Sequence, residues 1–300
     1  MLKVENVTKY YGSFKAVDNL SFEVKDGEIF GLLGVNGAGK TTTFRMIIGL
    51  LDKTEGSITL NGKPINYDIT DKIGFLTEER SLLTKLTVKE QVIYYGVLKG
   101  MKEGEILEKL DVWLKRFNIE DYKERKIKEL SKGNQQKVQF ITAIINSPKL
   151  LILDEPFSGL DPINVQLFMD VIKELKSQGT SIIFSSHRME HVEMFCEKLV
   201  VLVHGKSVLA GELKQIKKEY RKKNIHIEAS DVDIKKLKDI KGVVDVVENE
   251  SEIVVKIESD NDVNAVFDFI KKCKEVTKFV VEDATLNEIF LDKVGVVYEN

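Results

Sequence analysis

The sequence predicts an α/β protein built on a parallel sheet, followed by a smaller α+β unit. Continuous apolar runs at Ile29–Leu33, Leu150–Asp154 and Ser181–Ser186 are typical of strands buried on both faces. A helical pattern separates the second and third runs, as in a crossover between neighbouring parallel strands. Beyond about residue 224, short strand and helix patterns alternate.

Around this sheet the sequence predicts two subdomains. The first thirty residues alternate apolar and polar side chains with a period of two, which is typical of half-buried antiparallel strands. The stretch EGSITLNGKPI predicts a hairpin that turns at Asn61 and Gly62. From about residue 80 to 147 the pattern is charged and helical, which predicts a helical subdomain.

The C-terminal part predicts a separate domain. Residues 213–223 are basic and polar, and we interpret them as a linker or a solvated helix face rather than a lipid or nucleic-acid patch. Residues 224–300 show strand and helix patterns in the order β-α-β-β-α-β, followed by a short helix in ATLNEIFLDKV. This order predicts a ferredoxin-like accessory domain after a main domain at residues 1–212.

Composition limits the classes of function. The formal net charge of −3 gives no electrostatic reason to expect a nucleic acid as partner. The two cysteines, Cys196 and Cys273, are far apart in the sequence, which fits a reducing compartment. The apolar runs are of strand length, well below the ~20 residues that cross a bilayer. The N-terminus lacks the apolar stretch of a secretory signal.

The clearest motif is GVNGAGKTT at residues 34–42, which matches G-x-x-x-x-G-K-[ST] between a buried strand and a helix. Glycines let successive backbone N–H groups turn toward a phosphate at a helix N-terminus. Lys40 adds a charge for the β- and γ-phosphates, Thr41 a hydroxyl for Mg²⁺, and Thr42 a contact near the α-phosphate. A glycine-rich turn with an incidental lysine is the competing interpretation, which the flanking strand and helix disfavour. We therefore predict that a nucleoside triphosphate binds Gly34, Asn36, Gly37, Ala38, Gly39, Lys40, Thr41 and Thr42.

Two adjacent carboxylates follow the apolar run that begins at Leu150. Asp154 ends the predicted strand, where open α/β sheets place their ligands, and it is a candidate Mg²⁺ ligand with Thr41. Glu155 follows at once and is a candidate general base for an attacking water. An acidic turn before Pro156 is the competing interpretation.

With these motifs in order, residues 1–212 resemble the ATP-binding cassette (ABC) ATPases. LSKGNQQ, which begins at Leu130, resembles the family's LSGGQ signature, and SGLD, which ends at Asp161, resembles its D-loop. His187 resembles the switch histidine, and Tyr11 resembles the aromatic residue that stacks on adenine. A strand-end histidine and a core aromatic are the competing interpretations of these two residues. The resemblance implies a P-loop NTPase core.

The resemblance also implies a head-to-tail dimer with two ATP molecules at its interface. Ser131, Gly133 and Asn134 would then face the γ-phosphate held by the partner's P-loop, at a helix N-terminus. His187 would sense the same phosphate, and Asp161 would couple the two sites.

Two departures from the family pattern indicate which subgroup of the family this chain resembles. Lys132 and Asn134 replace glycine and glutamine of the signature, and Glu78 occupies the glutamine position of the Q-loop, where a carboxylate can still approach Mg²⁺. The same combination is similar to a subgroup of sodium-, drug- and peptide-exporter ATPases that carry an extra C-terminal domain.

The resemblance implies an ATPase subunit on the cytoplasmic face of the membrane. It would dimerise, with itself or with a paired nucleotide-binding domain, and drive a separate permease through its helical region. Two alternatives remain open from the sequence: a soluble ABC ATPase in translation or DNA repair, and an ATP-dependent dimerisation module with weak hydrolysis.

Overall fold

The computed structural model describes residues 1–79, 81–186 and 188–298. The chain divides into two compact units, Met1–Ala210 and Gly211–Asn300, each with its own hydrophobic core.

The first unit contains the predicted antiparallel sheet, with strand order β2-β1-β4-β5. β1 pairs antiparallel with both β2 and β4, and Asn61 and Gly62 turn the β4–β5 hairpin with positive φ angles of 53° and 75°. These φ values are those of a two-residue primed turn, which the Asn-Gly pair favours. The strands are β1 (Leu2–Tyr11), β2 (Phe14–Val24), β4 (Glu55–Leu60) and β5 (Lys63–Pro64).

The second sheet of this unit has the order β10-β9-β3-β8-β7-β6. β3 pairs in parallel with β8 and β9, and β7 pairs in parallel with β8 and β6. All residues of β3, β7 and β8 are buried, as expected for parallel strands covered on both faces. The strands are β3 (Ile29–Gly34), β6 (Ile73–Leu76), β7 (Leu150–Asp154), β8 (Ser181–Ser186), β9 (Lys198–Val203) and β10 (Lys206–Glu212).

Helices accompany this sheet, three of them in the described part of residues 80–147, where the sequence predicts a helical subdomain. Thr87 starts α2 with a capping box to Glu90, and Ser131 and Asp161 cap α4 and α5. The helices are α1 (Lys40–Ile47), α2 (Val88–Leu98), α3 (Glu103–Arg116), α4 (Lys132–Ile144), α5 (Pro162–Ser177) and α6 (Met189–Phe195), with 3₁₀ turns at Tyr67–Lys72, Glu120–Tyr122 and Ile127–Glu129.

The core between the two sheets holds α1 in place. Phe44 and Ile47 of α1 are fully buried with Val7 of β1, Leu32 of β3 and Ile152 of β7. Since Lys40 begins this helix, the same packing fixes the end of the glycine-rich loop.

The second unit begins with a helix, at residues where the sequence predicted a linker or a solvated helix face. Residues 213–220 form α7 (Leu213–Tyr220), and only two residues separate it from the next strand. Leu213 and Ile216, three positions apart on one helix face, are both buried, so the basic stretch has an apolar side that a linker lacks. The helix agrees with the alternative of a solvated helix face, and the domain boundary at residues 213–223 stays a prediction.

The rest of this unit has the element order β-α-β-β-α-β and a four-stranded antiparallel sheet with strand order β12-β13-β11-β14. The ferredoxin-like assignment stays a prediction, which this order supports. The elements are β11 (Lys223–Ser230), α8 (Ile234–Lys238), β12 (Val243–Glu248), β13 (Ile253–Ile257), a 3₁₀ turn (Asp260–Asp262), α9 (Val263–Ile270), β14 (Lys274–Asp283) and α10 (Leu286–Tyr298).

Candidate nucleotide-binding site

The sheet order brings the sequence motifs to one edge. β3, β8, β7 and β6 are consecutive neighbours and run parallel, so their carboxyl ends lie side by side. The glycine-rich loop follows β3, Asp154 ends β7, and Thr77 and Glu78 follow β6. This edge is where parallel α/β sheets bind their ligands.

The glycine-rich loop closes tightly over the end of β3. Gly34, Gly37 and Gly39 have positive φ angles of 151°, 80° and 103°, a region that disfavours residues with a Cβ. Space is restricted at Gly39, where a Cβ would lie 2.6 Å from the carbonyl oxygen of Ala16. Ala38 is buried within the loop, whereas Asn36 and Gly37 are exposed on its outer side.

Lys40 is folded back onto this loop. Its Nζ donates hydrogen bonds to the carbonyl oxygens of Gly34 at 2.7 Å and Val35 at 3.2 Å, and the side chain is only 7% exposed. A buried ammonium group needs such acceptors. The contacts hold the charge at the base of the loop, at the N-terminus of α1.

Asp154 links the loop to the neighbouring strands. Its Oδ2 accepts a hydrogen bond from the Thr41 hydroxyl at 3.0 Å, and its Oδ1 accepts one from the Ser185 hydroxyl at 2.6 Å. The carboxylate is 2% exposed, so both oxygens are oriented by protein donors.

Glu155 leaves the strand in an uncommon conformation. Its φ is 51°, in the left-handed region that few residues other than glycine adopt. Its backbone N–H donates to the Ser185 hydroxyl at 3.0 Å. The side chain, 7% exposed, contributes to the wall of the cavity beside Lys40 and Thr41.

Lys40, Thr41 and Glu155 line a cavity of about 460 Å³, within the usual range of ligand pockets. Gly34, Ala38 and Asp154 do not contribute to its lining. Two aromatic side chains that pair across β1 and β2, Tyr11 and Phe14, lie at one end, and Glu78 and Glu155 lie in the wall. The aromatic residues are 46% and 64% exposed. The remaining lining residues are Ala16, Asn36, Gly37, Gly39 and Thr42.

The signature residues are not part of this cavity wall. Ser131 caps α4 by accepting a hydrogen bond from the backbone N–H of Asn134 at 3.3 Å. Ser131 is exposed, and Gly133 and Asn134 are half-buried. From the middle of α4, Gln136 donates to the carbonyl oxygen of Pro156 at 3.2 Å, which ties the helix to the segment after Glu155.

The structure describes Asp161 at the D-loop position but not His187 at the switch position. Asp161 caps α5, accepting hydrogen bonds from the backbone N–H of Asn164 at 2.9 Å and from its side-chain amide at 2.6 Å. The Asn164 backbone N–H and side-chain amide hold the pKa of Asp161 below its ordinary value. His187 directly follows β8 in the sequence and lies outside the described residues.

A second, more apolar cavity of about 450 Å³ lies on the other side of the β6 end. Thr77 and Ser81 line it next to the loop that carries Glu78. The other lining residues come from the ends of α1, β6, α2 and α4: Ile48, Gly49, Leu50, Asn66, Thr70, Ile73, Gly74, Phe75, Gln91, Tyr95, Lys99, Gln139, Thr142 and Ala143. We call this cavity the apolar groove.

The oxygen donors near Lys40 fit Mg²⁺. The hydroxyl of Thr41 and the carboxylate of Asp154 already meet at 3.0 Å, and hard oxygen ligands suit this ion. Within the described parts of the chain, no three acidic, histidine or cysteine side chains cluster closely enough to hold a metal alone. This agrees with the usual mode of Mg²⁺, which takes one or two protein ligands and completes its shell with phosphates and water.

Sequence reasoning missed three side chains here. Phe14 follows the turn after β1 in YYGSF and pairs with Tyr11 across the two strands. Its place close to Tyr11 in the sequence could have predicted a second aromatic residue at the site. Ser185 is the second-last residue of the run SIIFSS and pairs with Asp154 across neighbouring strands, which the predicted parallel strands indicated. Gln136 had no signal beyond its place in the signature helix.

Comparisons with known proteins identify the family. The family model of the ABC transporter domain matches residues 17–158, and that of the DrrA1-3-like ATP-binding protein C-terminal domain matches residues 211–294. The ABC transporter ATP-binding protein YhaQ of Bacillus subtilis is 50% identical, and the match covers 100% of both chains. The lipopolysaccharide export system ATP-binding protein LptB of Haemophilus influenzae is 33% identical over 76% of this chain and 97% of its own.

A solved structure agrees with the fold and with the chemistry of the site. The dimeric, post-hydrolysis ATP-binding cassette MJ0796, bound to ADP and Pi, matches with a TM-score of 0.66 at 28% identity, covering 71% of this chain and 99% of that one. The sequence resemblance and the predicted α/β class are thereby confirmed. The chain belongs to the ATP-binding proteins of ABC transporters and is an ATPase of that family.

Proposed function

We propose that this chain is the ATP-hydrolysing subunit of an exporter and works as a head-to-tail dimer on a separate membrane permease. The supporting observation is the position of Ser131. The cavity beside Lys40 has loop, carboxylate and aromatic walls, yet the signature end of α4 is exposed elsewhere. A second copy can supply that missing wall. The export system LptB and the dimeric cassette MJ0796 are similar to this chain.

In this proposal the triphosphate lies along the N-terminus of α1. The loop N–H groups and Lys40 bind the β- and γ-phosphates, and adenine stacks on Tyr11. Thr41 and Asp154 would hold Mg²⁺, and Glu78 in the cavity wall would add a further carboxylate near it. The ion would neutralise charge that develops on the phosphate oxygens.

Hydrolysis needs a base and a cap on the γ-phosphate. Glu155 accepts the proton of the attacking water, from a backbone turn that directs it out of β7. His187, which follows β8 in the sequence, would sense the same phosphate, as the family resemblance implies. Ser131, Gly133 and Asn134 of the partner copy present a helix N-terminus to it, where partial positive charge stabilises the anion.

The experiment for this part is the Glu155→Gln variant. Gln keeps the shape of the side chain but accepts no proton, so turnover should fall at least about 100-fold, the scale of a general base. ATP should still bind, and size-exclusion chromatography with ATP should show a stable dimer. The control Lys40→Ala should lose binding of a fluorescent ATP analogue. Wild-type turnover in Glu155→Gln would contradict the choice of base.

The permease would dock in the apolar groove. Thr77 lines that groove while Glu78 lines the nucleotide cavity, so the β6 loop joins the two sites. Leu50 at the groove is 74% exposed, and Tyr95 of α2 and Lys99, the residue directly after this helix, also line the groove. An apolar groove of this kind fits a short amphipathic helix of a partner. No helix in the described residues is long and apolar enough to span a membrane, and we place the chain at the cytoplasmic face through its permease.

Co-purification from native membranes tests the docking. Wild-type protein should be recovered with a polytopic membrane protein, and Leu50→Glu should lose it because a charge enters the groove. Met194→Glu on α6, also an exposed apolar position at 62%, is the matched control and should retain it. Equal recovery of both variants would contradict the groove as the docking site.

A further inference from the structure

Gln139 joins the signature helix to the loop that carries Glu78. Its Nε2 donates to the carbonyl oxygen of Thr77 at 3.0 Å and to the Thr77 hydroxyl at 3.1 Å, with the Glu79 carbonyl oxygen at 3.4 Å. The side chain is 4% exposed. These acceptors lie on both sides of Glu78, so one amide group holds the backbone on which Glu78 is placed.

The orientation of this amide is fixed by its surroundings. Three oxygen atoms of Thr77 and Glu79 surround Nε2, and a reversed amide would place its own oxygen against them. In the orientation observed, Oε1 is buried and has no hydrogen-bond partner in the structure. A buried acceptor without a partner is costly. A packing role would be served at lower cost by an apolar side chain, which points to a use for the Nε2 contacts.

The position of Gln139 also connects two sites. It lines the apolar groove together with Thr142, whereas Glu78, one residue beyond Thr77, lines the nucleotide cavity. Ser131 caps the same helix two turns earlier. A displacement of α4 or of the groove wall would therefore reach Glu78 through this single side chain.

We propose that Gln139 is a positioning residue that sets the place of Glu78 at the nucleotide site and transmits changes in the groove to it. The inference rests on the proposed function, in which Glu78 adds a carboxylate near the bound Mg²⁺. Gln139 touches neither nucleotide nor metal and acts through Thr77 and Glu79.

A double-mutant cycle on the isolated full-length chain tests this proposal. The readout is the Mg²⁺ concentration that gives half-maximal binding of a fluorescent ATP analogue, for wild type, Gln139→Met, Glu78→Gln and the double variant. Met keeps the length of the side chain and removes the amide. We expect Glu78→Gln to raise that concentration about tenfold and Gln139→Met about threefold, with no further increase in the double variant, as for coupled residues.

Two further variants make the cycle decisive. Lys137→Met also removes a buried donor from α4, but this Nζ bonds to the Phe117 carbonyl oxygen at 3.1 Å and lies outside the groove lining, so the variant should leave the Mg²⁺ requirement unchanged. Thr77→Val removes one acceptor of the Gln139 amide from the loop side. If Gln139→Met does not fold, Thr77→Val in the same cycle with Glu78→Gln should show the same coupling.

The outcomes separate the two proposals. A Gln139→Met effect that is absent, or equal in size with and without Glu78, would overturn the positioning role and leave the metal assignment intact. An unchanged Mg²⁺ requirement in Glu78→Gln would overturn the assignment of Glu78 itself, and the role of Gln139 with it.

Discussion

The hydroxyl of Thr41 donates a hydrogen bond of 3.0 Å to the carboxylate of Asp154, although 113 positions separate the two residues in the chain. The first belongs to the helix after β3 and the second to the end of β7, and β8 lies between these strands. Ser185 of β8 binds the other carboxylate oxygen. The helix after β3 and the ends of β7 and β8 thus contribute to one hydrogen-bonded cluster beside the phosphate loop.

The Asp154→Asn variant should lose most of its activity. Asn has the same shape but no charge to balance Mg²⁺, so we expect turnover to fall about 100-fold, as when one well-placed electrostatic group is removed. Steady-state phosphate release measures it. Ser185→Ala removes a donor to Asp154 and the acceptor of the Glu155 backbone N–H, and it should cost about tenfold. Turnover of Asp154→Asn near that of wild type would show that the carboxylate is not needed.

Two glycines of the phosphate loop should respond differently to alanine. At Gly39 the new Cβ would lie 2.6 Å from the Ala16 carbonyl oxygen, while at Gly37 it would meet no atom within 4 Å. Gly39→Ala should therefore lower the thermal midpoint and abolish nucleotide binding. Gly37→Ala carries only the strain of positive φ, of about 1 kcal/mol, and should keep measurable binding. Equal behaviour of the two variants in calorimetric titration would contradict the geometry of the loop.

The aromatic residues at one end of the cavity should contribute to the affinity for ATP by stacking on its adenine ring. Stacking on an aromatic ring is worth about 1–3 kcal/mol, so Tyr11→Ala should weaken ATP binding about 5- to 100-fold, and Tyr11→Phe should largely preserve it. Phe14→Ala should give a smaller loss, since Phe14 is more exposed than Tyr11. Fluorescence titration with ATP decides this. Unchanged affinity in Tyr11→Ala would exclude stacking at this position.

The charge of Glu288, in the C-terminal helix α10, should contribute to the stability of the folded chain. Partial burial opposes ionisation of Glu288, but the Lys256 ion pair and hydrogen bonds from Asn224 and Thr285 outweigh it and lower its pKa to about 2. A carboxyl group with a pKa below its unfolded value of about 4.3 stabilises the fold above that value. This stabilisation is lost as the pH falls from about 4.3 toward 2.

Glu288→Gln should accordingly lower the thermal midpoint at pH 7, and the difference from wild type should shrink at pH 3. Circular dichroism of the full chain measures both. The exposed Glu250 offers a control: Glu250→Gln should leave the midpoint unchanged at pH 7. A Glu288→Gln difference that is the same at both pH values would contradict a role for the charge.

The sequence predicted the parallel sheet and the phosphate loop because both rest on local patterns. Buried runs such as SIIFSS and the spacing of glycines before Lys40 are visible within one segment. For α7 the sequence left a linker and a solvated helix face both open, because the buried side of the helix consists of two residues, Leu213 and Ile216, within a run of lysines. Two apolar residues three positions apart are too few to predict a buried helix face when charged residues surround them.

The contacts of Gln136 and Gln139 lay beyond sequence reasoning for a different reason. Each glutamine bonds to backbone oxygens of a distant segment, Pro156 in one case and residues 77 and 79 in the other. Backbone acceptors carry no side-chain signature, so one chain read alone gives no indication of the pairing. Phe14 and Ser185 were different, since each stood next to a residue already singled out.

Complementation between two inactive variants tests most directly whether each site is built from two copies. Glu155→Gln lacks the base, and Ser131→Glu places a negative charge against the γ-phosphate of the partner's site. Mixed in equal amounts before ATP is added, half of the dimers contain one of each. Each mixed dimer then has one site with both substitutions and one intact site, so the mixture should regain about a quarter of wild-type turnover while neither variant alone is active. No recovered turnover, although mixed dimers form, would contradict a shared site.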